Sequence, residues 1–202
     1  HLIILGANTE KKNNFKKDYF NSLIVVNNNL DIIAKYDKRK LVPFGEYLPF
    51  ENLLNKIGLK KITPGYNSFS KGQGFNNIQL NFNEIAFSFL PLICYEIIFP
   101  NILDNFEKEY NFIVNISEDA WFGNSIGPHQ HFSKAILRSI ESRKFVLRSA
   151  NRGKSALIDP YGKVIKSLNP IEVGNIEFQL PLLESTKKPH KKSLIFYLLL
   201  FT

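Results

Sequence analysis

Short apolar runs, alternating with polar positions or bounded by turn residues, recur along most of the chain and read as strands. His1-Leu2-Ile3-Ile4-Leu5-Gly6 opens as a strand already under way, and the polar stretch from Lys11 to Asp18 reads as a loop. Ser22–Val26 and Leu30–Ala34 flank Asn27-Asn28-Asn29, which predicts a hairpin. Two prolines and a glycine between Lys38 and Pro49 are too much punctuation for a regular element and predict a shaped loop. Glu51 to Ile57 predicts a short helix, and Thr63-Pro64-Gly65 with Gly72-Gln73-Gly74 marks turns.

The strand Ile85–Ile93 then leads to Cys94, with a helix expected beyond it, from Asn101 to Lys108. Phe112–Ile116 is a further strand, followed by a loop from Ser117 to Gly127. Pro128 suits the first turn of a helix whose apolar face is Phe132, Ile136, Leu137 and Ile140. The last third predicts strands at Phe145–Ser149, Ser155–Ile158, Val164–Ser167 and Ile171–Phe178, with a hairpin turn at Asp159-Pro160-Tyr161-Gly162. Strands punctuated by two helices argue for an α/β layered domain.

Composition bounds this picture. The 202 residues, 44% hydrophobic, suffice for one domain with a substantial core. The net charge of +8 comes from lysines scattered beside asparagines rather than gathered in one patch, so no nucleic-acid partner is expected. There is no methionine at all and the first residue sits within a strand, so the chain reads as part of something longer. At the other end Leu194 to Phe201 is an apolar run, too short for a span of about 20 residues. It reads either as the first half of a transmembrane helix, collared by Lys187, Lys188, His190, Lys191 and Lys192, or as a final core segment. The organisation expected is a domain over residues 1–186, with the collar and the start of the helix over 187–202.

Cys94 is the only cysteine, so its roles reduce to buried packing, an intermolecular bridge or reactive chemistry. A working thiolate needs a cation, a base or nearby backbone N–H groups. His129 and His131 are one pair to test, although their spacing of two puts them on different helix faces. With one thiol and no clustered ligands, neither a zinc site nor any other cofactor is expected. The stronger partner is the 38–49 loop, where Lys38 and Glu46 bracket an apolar Val-Pro-Phe-Gly core. Its alternative is an ordinary solvated charge cluster.

Three strings carry a resemblance: Tyr36-Asp37-Lys38-Arg39-Lys40-Leu41-Val42-Pro43-Phe44-Gly45-Glu46-Tyr47-Leu48-Pro49, Ile93-Cys94-Tyr95-Glu96, and Ser117-Glu118-Asp119-Ala120-Trp121-Phe122-Gly123. Together they resemble the carbon-nitrogen hydrolase (nitrilase-like) domain of the bacterial apolipoprotein N-acyltransferase family, over nearly the whole chain. The resemblance implies a four-layer αββα sandwich bearing a Glu-Lys-Cys triad, with Cys94 as nucleophile, Lys38 as the lysine and Glu46 as a second carboxylate near the thiol. Lys38 and the Tyr95 amide would hold the oxyanion, and Tyr95, Glu96, Trp121, Phe122 and Phe44 would line the substrate site. The general-base glutamate would lie upstream of His1, so these residues by themselves are not expected to turn over. Lys40 and Glu118 stand where the family usually has histidine and asparagine.

The activity so implied moves a fatty acyl chain from a phospholipid, through a Cys94 thioester, to the α-amino group of the N-terminal diacylglyceryl-cysteine of an apolipoprotein. The implied location is the bacterial inner membrane, multi-pass in the full-length protein, with the catalytic domain periplasmic. The lysine collar favours the opposite side by the positive-inside rule, a conflict that upstream spans would override. A soluble nitrilase-type amidase and a non-catalytic lipid-binding domain are the alternatives.

Overall fold

A long antiparallel hairpin begins the chain in the computed structural model, which describes residues 1–13, 16–50, 68–74, 76–105 and 109–182. Strand β1 (Ile3–Asn13) pairs with β2 (Lys16–Val26) from Ile3↔Val26 through Lys11↔Asp18. The polar stretch expected to be a loop is therefore ladder over its described residues: backbone pairing continues past the core, and exposed cross-strand neighbours such as Lys17 and Glu10, 3.2 Å apart, tolerate it.

The expected hairpin at Asn27 forms, with the Asn27 Oδ1 accepting the N–H groups of Asn29 and Asp31 at 2.9 Å. Leu30, at φ +65°, belongs to the turn, so the return strand β3 is Ile32–Asp37 rather than Leu30–Ala34. That shift matters, because β3 ends by delivering Lys38.

The second sheet has the order β4-β5-β6-β7-β8-β9. Its strands are β4 (Ile78–Phe82), β5 (Ile85–Ile93), β6 (Phe112–Glu118), β7 (Phe145–Asn151), β8 (Ser155–Ile158) and β9 (Val164–Leu168). The central β5, β6 and β7 run parallel, and the flanking pairs are antiparallel. β5 is buried along its last five residues, as a strand covered on both faces must be. Pro91 is tolerated there because β4 has already ended, its last pairing being Ile78↔Phe89.

Ile171–Phe178, expected to be a strand, is not one. Asn169 and Glu172 close a turn on each other instead, the Asn169 N–H donating to Glu172 Oε2 at 2.7 Å, and Ile171 stands in solvent. The helix expected at Asn101–Lys108 is a 3-10 segment, Pro100–Asn105, pinned by the fully buried Ile102.

Helix α1 (Gly127–Ser142) starts at the expected Pro128 turn and ends where Arg143 takes a left-handed conformation. Its buried face is His131, Phe132, Ala135, Arg138 and Ser139. Leu137 and Ile140, expected in the core, are 43% and 37% exposed. The polar side chains displaced them because they find partners inside, Arg138 Nη1 reaching the Phe99 carbonyl at 3.2 Å.

The two sheets and α1 share one apolar core that joins Leu23, Val25 and Tyr36 to Phe89, Leu92, Ile113, Ala135 and Val146. On one face of the larger sheet Ile116 lies against Gly6 of β1; on the other, Asn115 and Arg148 turn toward α1. These are three of the expected four layers, and an outer helical layer over the smaller sheet falls on no described residue. The helix at Glu51–Ile57, the turn at Thr63-Pro64-Gly65 and the 187–202 tail also lie outside the described residues. No helix among the described residues is long and apolar enough to cross a membrane.

Candidate active site

β5 ends at Ile93, and the next residue makes a sharp bend. Cys94 sits at φ +49°, then a 3-10 turn runs Cys94–Ile98. A non-glycine residue held in the left-handed region costs roughly 1–2 kcal/mol, and such strain gathers where a side chain must be presented at a fixed angle. The thiol is free and partly exposed, unlike a packing cysteine at the centre of a core.

Glu96 holds the bend. Its Oε2 accepts the Ile93 N–H at 2.9 Å, and its Oε1 accepts from the Tyr36 hydroxyl at 3.0 Å and from the N–H groups of Arg39 and Lys40 at 2.8 and 3.0 Å. One carboxyl group thus ties the end of β5 to the segment leaving β3, which is how residues 38 and 94, far apart in sequence, come to one place. Burial pushes the Glu96 carboxyl up from the usual range, opposed by the three backbone N–H groups and by the Lys38 charge. Expected on the substrate wall, Glu96 is wholly buried and its acceptor oxygens are engaged by the protein itself. Its carboxylate braces the site from beneath.

Lys38 is only 1% exposed, and its Nζ lies 2.9 Å from both oxygens of Glu46. Glu46 in turn accepts from Asn21 Nδ2 and from the Val42 N–H, each at 2.8 Å. The backbone of Lys38 is fixed as well, its N–H donating to the Asn21 carbonyl at 2.8 Å and its own carbonyl accepting from Gly72 at 2.9 Å. An ammonium so confined is a fixed charge rather than a solvated one, as the alternative reading of the loop required. The loop is shaped as expected: Glu46 N–H donates to Val42 O, Phe44 N–H to Tyr47 O, and Phe44 takes φ +63°.

Gly72 is needed for this approach. A Cβ there would overlap the Asp37 carbonyl oxygen and lie 2.6 Å from its carbon, and backbone cannot yield as a side-chain tip does. Gly72→Ala is expected to cost ~1–3 kcal/mol of stability and to displace Lys38, measured as a lower melting temperature together with lost activity; an unchanged melting temperature and activity would show the turn to be indifferent.

The aromatic residues divide. Trp121 and Phe44 are exposed, at 64% and 47%. Phe122 packs 5.5 Å from the His131 ring and against Gly127, and Tyr95 meets Phe99 edge-on at 5.5 Å. Lys40 Nζ also lies over the Phe99 ring, 5.6 Å from its centroid.

His129 is exposed, so it forms no pair with His131. His131 is buried, and its Nε2 meets the carbonyl oxygen of Cys94 at 3.1 Å, a backbone contact rather than that of a base for the thiol. Its partner Asp119 stood in the third sequence string without a role, and Arg148 was not singled out. An arginine directly after the apolar run Phe145-Val146-Leu147, within a predicted strand, was the signal that a buried charge waits for it.

The carbon-nitrogen hydrolase family profile matches residues 1–188. The chain belongs to this family. Among its curated relatives, apolipoprotein N-acyltransferases from Brucella melitensis biotype 1 and Rhizobium etli are 37% identical over 182 residues and 40% identical over 159. The matched segments cover 89% and 79% of the chain but 34% and 29% of the relatives, so the chain spans about a third of their length. A carbon-nitrogen hydrolase from Helicobacter pylori superposes with a TM-score of 0.59 at 14% identity, covering 85% of the chain and 60% of that protein. Nit3 of Saccharomyces cerevisiae, a nitrilase-superfamily member, superposes with a TM-score of 0.55 at 18% identity, covering 83% and 56%. Both carry the family's α/β sandwich, and with it the nitrilase fold expected from the sequence.

Proposed function

We propose that this carbon-nitrogen hydrolase domain belongs to a membrane acyltransferase that moves a fatty acyl chain from a phospholipid, through a thioester on Cys94, to the α-amino group of an apolipoprotein's N-terminal diacylglyceryl-cysteine. The observation that carries it is the strained Cys94 bend joined through Glu96 to a buried Lys38–Glu46 pair. The relatives named apolipoprotein N-acyltransferase support the choice of substrate. A periplasmic position for the domain, at the inner membrane, completes the proposal.

In the first step the Cys94 thiolate attacks the ester carbonyl carbon. The C–S bond forms, the oxygen becomes an oxyanion held by the Lys38 ammonium and the Tyr95 amide, and the C–O bond breaks to release a protonated lysophospholipid. The upstream glutamate takes the thiol proton and returns it to the leaving oxygen. In the second step the acceptor amine attacks the thioester carbon, the upstream glutamate takes a proton from the amine, and the C–S bond breaks to leave an amide and the Cys94 thiolate. Glu46 holds the ammonium in place throughout, each of its oxygens 2.9 Å from Nζ. Phe44, exposed in the loop between Lys38 and Glu46, and Trp121, exposed on the 3-10 turn Asp119–Phe122, suit the acyl chains.

The test uses the full-length protein in phospholipid vesicles labelled in the fatty acyl chain, with a diacylglyceryl-cysteine peptide as acceptor. Label is expected in an amide on the peptide, and none when the peptide amine is blocked by acetylation. Hydrolysis of a small amide without acylation of the peptide would instead make it an amidase.

A further inference from the structure

A closed circuit of buried side chains lies behind the Cys94 bend, and the transfer chemistry does not use it. From the Cys94 carbonyl the path runs to His131 Nε2 at 3.1 Å, and His131 Nδ1 meets Asp119 Oδ1 at 2.9 Å. Asp119 Oδ2 accepts from Arg148 Nη2 at 2.7 Å, and Arg148 Nη1 donates to Asn115 Oδ1. Asn115 Nδ2 then donates to the Leu92 carbonyl at 3.0 Å. The circuit leaves the backbone at residue 94 and rejoins it at residue 92, on either side of Ile93, after crossing α1, the 3-10 turn Asp119–Phe122, β7 and β6.

Each member is buried, with Asn115 and Asp119 wholly so. Both ring nitrogens of His131 face acceptors, Nε2 the Cys94 carbonyl and Nδ1 the Asp119 carboxylate, so each of them donates. Burial works against the ionised Asp119, but the hydrogen bond from His131 and the Arg148 charge outweigh it and hold its carboxyl below the usual range. Ser117 Oγ adds a bond to Asp119 Oδ1 at 2.6 Å. On the far side, Gly153 leaves room: a Cβ there would overlap Asp119 Oδ2 and lie 2.6 Å from its carboxyl carbon.

We propose that His131 is a positioning residue that pins the Cys94 carbonyl and so aims the thiol, with Asp119, Arg148 and Asn115 fixing the imidazole and closing the clamp at Leu92. A strained left-handed residue persists only where its surroundings over-determine it. Here the surroundings are Glu96 on one side of the bend and His131 on the other. The clamp deepens the proposed function, resting on Cys94 as the nucleophile, but it predicts a property of the thiol that needs no acyl donor.

In the full-length protein, His131→Asn keeps a side chain able to reach Asp119 but withdraws the donor from Cys94. His131→Gln places an amide N–H near the lost Nε2. Two rates are measured: alkylation of Cys94 by iodoacetamide across the neutral to alkaline pH range, and single-turnover thioester formation from phospholipid. His131→Asn is expected to slow thioester formation by ~100-fold, the scale that a misplacement of about 1 Å can cost between bound reactants, and to slow alkylation in the same direction. His131→Gln should recover most of that loss. Gly153→Ala, which touches neither the thiol nor the substrate, should slow both rates in the same direction. A purely structural role would lower the melting temperature of Asn and Gln variants alike, without separating their rates. If His131→Asn fails to fold, the comparison of His131→Gln with Gly153→Ala decides. Rates within threefold of wild type in folded His131→Asn, or in folded Gly153→Ala should His131→Asn not fold, would overturn the proposal. A wild-type protein whose Cys94 alkylates fast, and slows as described in the variants, but takes no acyl group from phospholipid would keep the clamp and refute the function.

Discussion

Cys94→Ala in the full-length protein is expected to fold normally and to lose acyl transfer by on the order of a million-fold in kcat, the scale seen when a covalent nucleophile is removed. The fold should survive because alanine keeps the Cβ and the backbone bonds of the bend, including the His131 contact with the residue 94 carbonyl. It should gain nothing either, since alanine carries the same left-handed penalty at φ +49° as cysteine. Cys94→Gly separates the two effects. Glycine adopts this conformation without steric cost, which offsets its greater freedom in the unfolded chain, so this variant should melt at or above Cys94→Ala while remaining equally inactive. Inactivity with a raised melting temperature is the mark of strain kept for chemistry. Transfer surviving in Cys94→Ala would place the nucleophile elsewhere.

The second large effect belongs to Lys38. Lys38→Met keeps most of the buried volume and removes the charge, and is expected to reduce thioester formation by ~1000-fold or more, because the ammonium acts where negative charge develops in a water-poor site. Its stability cost should stay below the 3–5 kcal/mol typical of breaking a buried pair. The orphaned Glu46 retains Asn21 and the Val42 N–H as donors and keeps some exposure to water. Lys38→Ala should be as inactive and less stable, having lost the packing as well. Lys38→Arg should not rescue activity, since its planar fork engages a carboxylate in a fixed geometry that draws the charge onto Glu46. Measuring unfolding and thioester formation side by side checks both halves, and a Lys38→Met variant that forms the thioester at the normal rate would remove Lys38 from the mechanism.

How much of this was legible in the sequence depended on how local the cause was. The lone thiol after an apolar run, and a lysine and a glutamate bracketing a proline-framed loop, are features of contiguous residues, and the structure places them at the end of β5 and just after β3. The Asn27 hairpin and the strands around Asp159 to Gly162 were legible for the same reason. Lys11 to Asp18 was not, because its strands are held by pairing with each other rather than by any apolar pattern. Ile171 to Phe178 alternates like a strand but pairs with no strand among the described residues. The clamp behind Cys94 was hidden because its members come from β6, β7, α1 and a 3-10 turn. His131 and Arg148 occupy faces that periodicity assigns to apolar residues, and their shared partner Asp119, with Asn115 and the Cys94 carbonyl, accounts for their burial there. Glu96 misled in the opposite way: it adjoins the thiol in sequence, yet its side chain turns inward to bind the 36–40 segment.

The central claim, that Cys94 carries the acyl group, is tested most directly by mass spectrometry of the full-length protein after exposure to phospholipid vesicles without acceptor. The account predicts a fatty acyl adduct on the peptide containing Cys94, released by hydroxylamine as a thioester is, and discharged when the diacylglyceryl-cysteine peptide is added. Transfer to the peptide with Cys94 unmodified throughout, or with the acyl group on another residue, would contradict it.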